Sequence, residues 1–262
     1  MTRFAKSTLA TALIAFTASS YAVDNTTAST VTPQQRAQIE GVVHQYLVQH
    51  PEVLIEAMQS LQRKQYEDAQ KVIKQTQQDA PKFANALFHQ NNDPIGGNPN
   101  GTVTIVEFFD YQCPHCIDMA PVMDSILKAN PNLRIIYKEF PIRGPMSDIA
   151  ARAALAANLQ GKYIAFNHAL LTADQPLTPD AIFQIAQTNG INVDKLKKDM
   201  NDPSIVNQIK ANLKLAQDLK LFGTPAFFIA KSNVALNQGP VTYVPGAMDQ
   251  KQLQGEIDKI AK

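Results

Sequence analysis

The stretch TVTIVEFFDYQCPHCIDMAP, Thr102 to Pro121, constrains this chain more than any other. A β-branched and aromatic run long enough for a buried strand leads directly into C-x-x-C, and a helical pattern follows to about Asn130. Both cysteines of the chain lie here, three residues apart. A bridge between them closes almost no loop, so it restrains the unfolded chain very little and has little value as a staple. A structural zinc site needs four ligands. No second cysteine pair exists, and His44, His50, His89 and His168 are scattered over helical or loop segments. Ligand count therefore argues against a metal centre.

What remains is thiol chemistry. Cys113 falls where the strand hands over to the helix, so unpaired N–H groups and the positive end of the helix dipole face its sulfur and favour the thiolate. His115 can donate to or charge-stabilise that sulfur. Stabilising the reduced thiolate makes the disulfide a better oxidant. Cys116, one turn further in, is placed to attack a mixed disulfide formed at Cys113, and its proton needs an acceptor. Glu107 is an acid inside an apolar run; burial beneath the pair raises its pKa toward the range where it exchanges protons. A water-facing carboxylate at a strand end is the alternative.

The rest of the chain frames this centre. The opening MTRFAKSTLATALIAFTASSYAVD has Arg3 and Lys6, an apolar run and small residues up to Ala22, the order of a secretory signal peptide cut near Ala22. Its apolar run is far short of the ~20 residues that span a bilayer. The chain carries 24 basic and 23 acidic residues, or 22 and 23 without residues 1–22. That balance offers no electrostatic case for nucleic acid. Residues 33–61 give two short amphipathic helices broken at His50-Pro51, with Ile39, Val43, Tyr46 and Leu47 on one stripe and Val53, Leu54, Met58 and Leu61 on the other. They are too small to bury these faces within themselves. We read 23–61 as an oligomerisation region, a dimer favoured over a trimer, and 62–80, polar nearly all round, as a helical linker. The catalytic domain is expected over 81–262: turn chemistry at NNDPIGGNPNG, two strands around the first helix, a helical block at about 147–221, strands at TPAFFIA and VTYVP, and a last helix from about Asp249 to Ile260. This is an α/β sheet domain with a helical insertion.

These residues resemble the thioredoxin superfamily, and Pro114-His115 with the preceding EFFDYQ resembles its DsbA-type thiol:disulfide oxidoreductases. The resemblance implies a depressed pKa for the first cysteine of the pair, Cys113. The resemblance implies a thioredoxin-like fold over roughly 83–262, with Glu107 matching the family's buried acid and Pro121 its helix-kinking proline. It also implies that Pro225 in GTPAFFI is cis and abuts Cys113, and that Thr224 pairs with an extended substrate segment. Thr224 is more similar to the isomerase members than to the plain oxidases. QYLVQHPEVLIEAMQSLQ resembles the N-terminal oligomerisation region of the ScsC-like branch. The implied activity is formation or isomerisation of disulfides in exported periplasmic proteins, without a cofactor or metal, recycled by a membrane partner of the DsbB or DsbD type. A holdase chaperone or a copper- or zinc-binding tolerance protein is the alternative.

Overall fold

The computed structural model describes residues 31–233 and 239–262; the expected signal peptide and residues 23–30 lie outside them. The chain divides into two compact units at Leu61/Gln62.

In the first unit, helix α1 (Pro33–Gln49) is capped by Thr32, whose hydroxyl accepts from Gln35 N–H while the Gln35 side chain accepts from Thr32 N–H. It ends at His50, before Pro51, and α2 (Glu52–Asp79) begins. α1 buries no residue. Ile39, Val42, Val43, Tyr46, Leu54, Ile55, Met58 and Leu61 are all about half exposed or more, whereas Leu47 and Val53 are half-buried, so most of both apolar stripes legible in the sequence is uncovered among the described residues.

In the second unit, a short 3-10 turn (Ala80–Phe83) and α3 (Ala84–Phe88) precede a five-stranded sheet. Its strands are β1 (Ile95–Gly97), β2 (Val103–Phe109), β3 (Leu133–Glu139), β4 (Ala226–Lys231) and β5 (Thr242–Pro245), in the order β1-β3-β2-β4-β5. β2 and β3 are parallel, joined by α4 (Pro114–Ala129), and the other pairings are antiparallel. The helical block comprises α5 (Pro145–Asn158), α6 (Tyr163–Leu171), α7 (Pro179–Thr188), α8 (Val193–Asp199) and α9 (Pro203–Asp218); α10 (Gln250–Ala261) closes the unit. This is the thioredoxin-like fold with a helical insertion.

Every residue of β2 is buried, because both faces of the sheet are covered. Ile105 and Phe109 face a core shared with α4, α5 and α6, whereas Val106 and Phe108 face a second core built on α3 and the end of α9. Alternation puts Glu107 on the first face, between Ile105 and Phe109.

Two sequence expectations change. NNDPIGGNPNG is more than turn: Ile95–Gly97 forms an edge strand against β3. A side chain at Gly97 would stand 2.5 Å from Leu133 O, and Gly97 has φ +69°, so glycine is what lets this edge close, and glycine also erases the strand pattern. The segment read as a linker over 62–80 belongs to the second compact unit, and its last turns are packed. Thr76 is buried and donates to Leu219 O at 2.8 Å; Gln77 donates to Val241 O and accepts from Tyr243 N–H at 2.7 Å. Ile73 packs against the second core. A start at Pro81 therefore falls inside the unit, because a few polar side chains bonding to distant backbone anchor this helix without an apolar stripe.

Candidate active site

β2 ends at Phe109, and the next four residues turn the chain into α4. Asp110 O accepts from Cys113 N–H at 3.1 Å, and Cys113 is the N-cap of α4 with extended backbone (φ −85°, ψ 115°). Pro114 occupies the first helical position, where no N–H is needed. Cys113 is fully enclosed while Pro114 and His115 are exposed. Pro121 lies inside α4, where it removes one helical N–H donor.

Thr224-Pro225 is a cis peptide and lies against the cysteine pair. The Cys113 thiol donates to Thr224 O at 3.2 Å. The Thr224 hydroxyl is buried and has no other partner, so it is the donor free to turn to the sulfur once the thiol ionises. Burial pushes the Cys113 pKa up, but the Thr224 side chain, the Cys116 backbone and thiol and the His115 backbone N–H push it down, and the net direction is below an ordinary thiol. His115 thus acts on the sulfur here through its backbone.

Cys116 moves the opposite way. Burial raises its pKa far above the ordinary value, and the charge of Glu107 adds to the rise. The two thiols, three residues apart, are therefore one poised to ionise and one held protonated. Glu107 is 4 % exposed, which excludes the water-facing alternative, and burial lifts its pKa to about 8. A group with that value both takes and returns protons near neutrality.

Residues 104–258 match the profile of the DSBA-like thioredoxin domain. The chain belongs to that DsbA-like family. Residues 35–67 match a second profile, the copper resistance protein ScsC N-terminal domain. Among solved structures, this DsbA-like chain is similar to a thioredoxin-like oxidoreductase from Silicibacter pomeroyi at 40 % identity, covering 67 % of this chain and 95 % of that one, TM-score 0.61. It is similar to BcfH of Salmonella enterica Typhimurium at 31 % identity, covering 87 % and 97 %, TM-score 0.62. The thiol-disulfide exchange protein alpha-DsbA2 of Wolbachia pipientis matches at 26 % identity, covering 71 % and 96 %, TM-score 0.63. The curated relatives it matches are far longer: the chain spans 22 % of the Na(+)/H(+) antiporter NhaA 3 of Salinispora tropica, at 26 % identity over 141 residues. Among the described residues, no helix is long and apolar enough to cross a membrane.

The structure brings Cys113, Pro114, His115, Cys116, Glu107, Thr224 and Pro225 into one neighbourhood, across 119 positions of sequence. It also contains two acids that sequence reading passed over. Asp110, 1 % exposed, accepts from Gln112 N–H at 2.7 Å, Ser147 Oγ at 2.7 Å, Ile142 N–H at 2.8 Å and Arg143 N–H at 3.0 Å. It ties the turn before Cys113 to the loop that opens α5. Its signal in the sequence was an Asp two residues before an N–H it can accept, the pattern of an Asx turn. The second acid is Glu139, at the end of β3, which accepts from Tyr111 and Tyr163 hydroxyls at 3.0 and 2.7 Å. The four scattered histidines do not converge: His50 meets Glu52 and His168 meets Asp124, and no cluster of three or more metal-ligating side chains occurs among the described residues.

Proposed function

We propose that this chain is an exported thiol:disulfide oxidoreductase acting on thiols or disulfides of other exported proteins in the periplasm. The observation that carries the reading is the asymmetry of the pair: Cys113, at a helix N-terminus and against Thr224 O, has a lowered pKa, and Cys116 a raised one. In the oxidising direction a substrate thiolate attacks Cys113 Sγ, a substrate–Cys113 disulfide forms, and the Cys113–Cys116 bond breaks. Cys116 leaves with the electron pair and takes a proton from neutral Glu107. A second substrate thiolate then attacks the substrate sulfur and releases Cys113 as thiolate. The substrate is oxidised by two electrons and the enzyme reduced by two. In the isomerising direction Cys113 thiolate attacks a substrate disulfide; ionised Glu107 takes the Cys116 proton whenever Cys116 must resolve the intermediate. Thr224, whose C=O lies beside the reacting sulfur, offers an extended substrate segment a strand-like partner. The pair is recharged by a membrane partner of the DsbB or DsbD type.

Two or more copies assemble through residues 33–61, the apolar stripes of α1 and the start of α2 covering one another. Their exposure and the ScsC N-terminal profile support this. Paired active sites suit isomerisation, which also agrees with Thr224. The test has two arms. Wild type catalyses dithiol exchange and refolding of a scrambled disulfide substrate, and Cys113→Ala loses both; retained activity, or only aggregation suppression that survives the change, refutes the redox reading. Deleting residues 23–61 gives a monomer that keeps dithiol exchange and loses isomerisation; a truncated chain that stays oligomeric by light scattering refutes the assembly.

A further inference from the structure

Glu139 has no role in the steps above, yet its setting is unusual. Parallel pairing of β2 with β3 sets Glu107 beside Tyr137 and Phe109 beside Glu139. All four belong to one face, so the two carboxyls are diagonal neighbours, with Cα atoms roughly 8 Å apart from one strand spacing and two residues of rise. Tyr111, Tyr137, Tyr163 and Cys116 share the core on that face. Glu139 Oε1 accepts from both Tyr111 and Tyr163, Asn167 Nδ2 donates to the Tyr111 hydroxyl at 3.0 Å, and Glu139 Oε2 is buried without a partner. A cluster that served packing alone would be stabler with no carboxyl, since a buried polar atom without a partner is costly.

We propose that Glu139 is a positioning residue for the proton step: held by Tyr111 and Tyr163 on the face that carries Glu107, its charge sets how readily Glu107 exchanges a proton with Cys116. This rests on the redox reading of the cysteine pair. The groups acting on Glu139 are Tyr163, Tyr111, Asp110 and Glu107, all neutral or acidic, and Cys116 and Tyr137 in turn feel Glu107. Burial lifts Glu139, like Glu107, to about 8. The two carboxyls therefore titrate as a pair: ionising one raises the cost of ionising the other. The hydroxyls of Tyr111 and Tyr163 favour the charged form of Glu139, while the charges of Asp110 and Glu107 oppose it.

The test is Glu139→Gln in the full chain, which keeps an acceptor for both tyrosines and removes the charge. Two readouts are followed with pH: the rate at which glutathione reduces the Cys113–Cys116 disulfide, and the infrared band of protonated Glu107 in the reduced protein. Without the second charge, the Glu107 midpoint moves down by about one pH unit, a tenfold gain in ionised fraction just below it. The plateau rate stays unchanged, and Glu107→Gln/Glu139→Gln has the profile of Glu107→Gln. Superimposable wild-type and Glu139→Gln midpoints overturn the proposal, as does an equal shift in the Glu107→Gln background. Tyr163→Phe, which leaves Glu139 more often neutral, moves the midpoint the same way by less and serves if Glu139→Gln does not fold; an unmoved midpoint there overturns the proposal equally. If wild type shows no exchange with glutathione, the redox reading fails, and the infrared titration alone still decides the coupling.

Discussion

Glu107→Gln is expected to stabilise the reduced protein at neutral pH while slowing its chemistry. Glu107 is 4 % exposed and its pKa is pushed to about 8 by burial, against 4.5 for a free glutamate. Below pH 4.5 the group is neutral in both states and contributes no pH-dependent term. Between 4.5 and 8 the unfolded chain releases a proton that the folded chain keeps, so stability falls as pH rises. At pH 7 the difference amounts to roughly 3 kcal/mol, from 2.5 pH units at 1.36 kcal/mol each. Glutamine removes that term and leaves an amide in the same place, whose burial returns about 1 kcal/mol, for a net gain of about 2 kcal/mol at pH 7. Urea unfolding of reduced wild type and variant at pH 4.5, 6, 7 and 8 measures it. The two curves should be close at pH 4.5 and separate steadily, the variant being the more stable at pH 7. Curves that stay parallel across this range, or a variant less stable at pH 7, would refute burial of a neutral Glu107.

Other consequences follow from single contacts. Thr224→Val removes the unpaired hydroxyl beside Cys113, one of the groups that hold its pKa down, so the Cys113 pKa rises, read by thiolate absorbance in the Cys116→Ala background. Asp110→Ala strips four hydrogen bonds from the Cys113 turn and the α5 loop and should cost about 2–4 kcal/mol in urea unfolding. Lys138, 1 % exposed, pairs with buried Asp93 and donates to Ala86 O at 2.8 Å. Lys138→Met leaves Asp93 uncompensated, with an expected loss of about 3–5 kcal/mol that Lys138→Met/Asp93→Leu largely restores.

The centre was legible because strand, C-x-x-C and helix are contiguous, and each is written in local pattern: β-branched residues for β2, a first-turn proline and helical spacing for α4. Thr224-Pro225 was legible through its dipeptide and the strand after it. Burial of Glu107 was expected from its place in an apolar run, but only α4 and α10, closing over one face of a sheet whose partners come from distant segments, exclude the water-facing alternative. Glu139 was hidden. In YKEF it is one of two adjacent charges, and only the register of β3 against β2 shows that Lys138 turns to one core and Glu139 to the other. β1 was missed because the glycines that permit it carry no pattern, and the packed end of α2 because its anchors are Thr76 and Gln77.

The central claim is that one cysteine of the pair is poised to ionise and the other is held protonated. Its most direct test is the pH dependence of iodoacetamide alkylation of the reduced protein, followed separately for the peptides carrying each cysteine. The account predicts that Cys113 is modified first, with a midpoint below that of an ordinary thiol, while Cys116 stays unreactive through the same range. Alkylation of Cys116 before Cys113, or a Cys113 midpoint at or above the ordinary value, would contradict it.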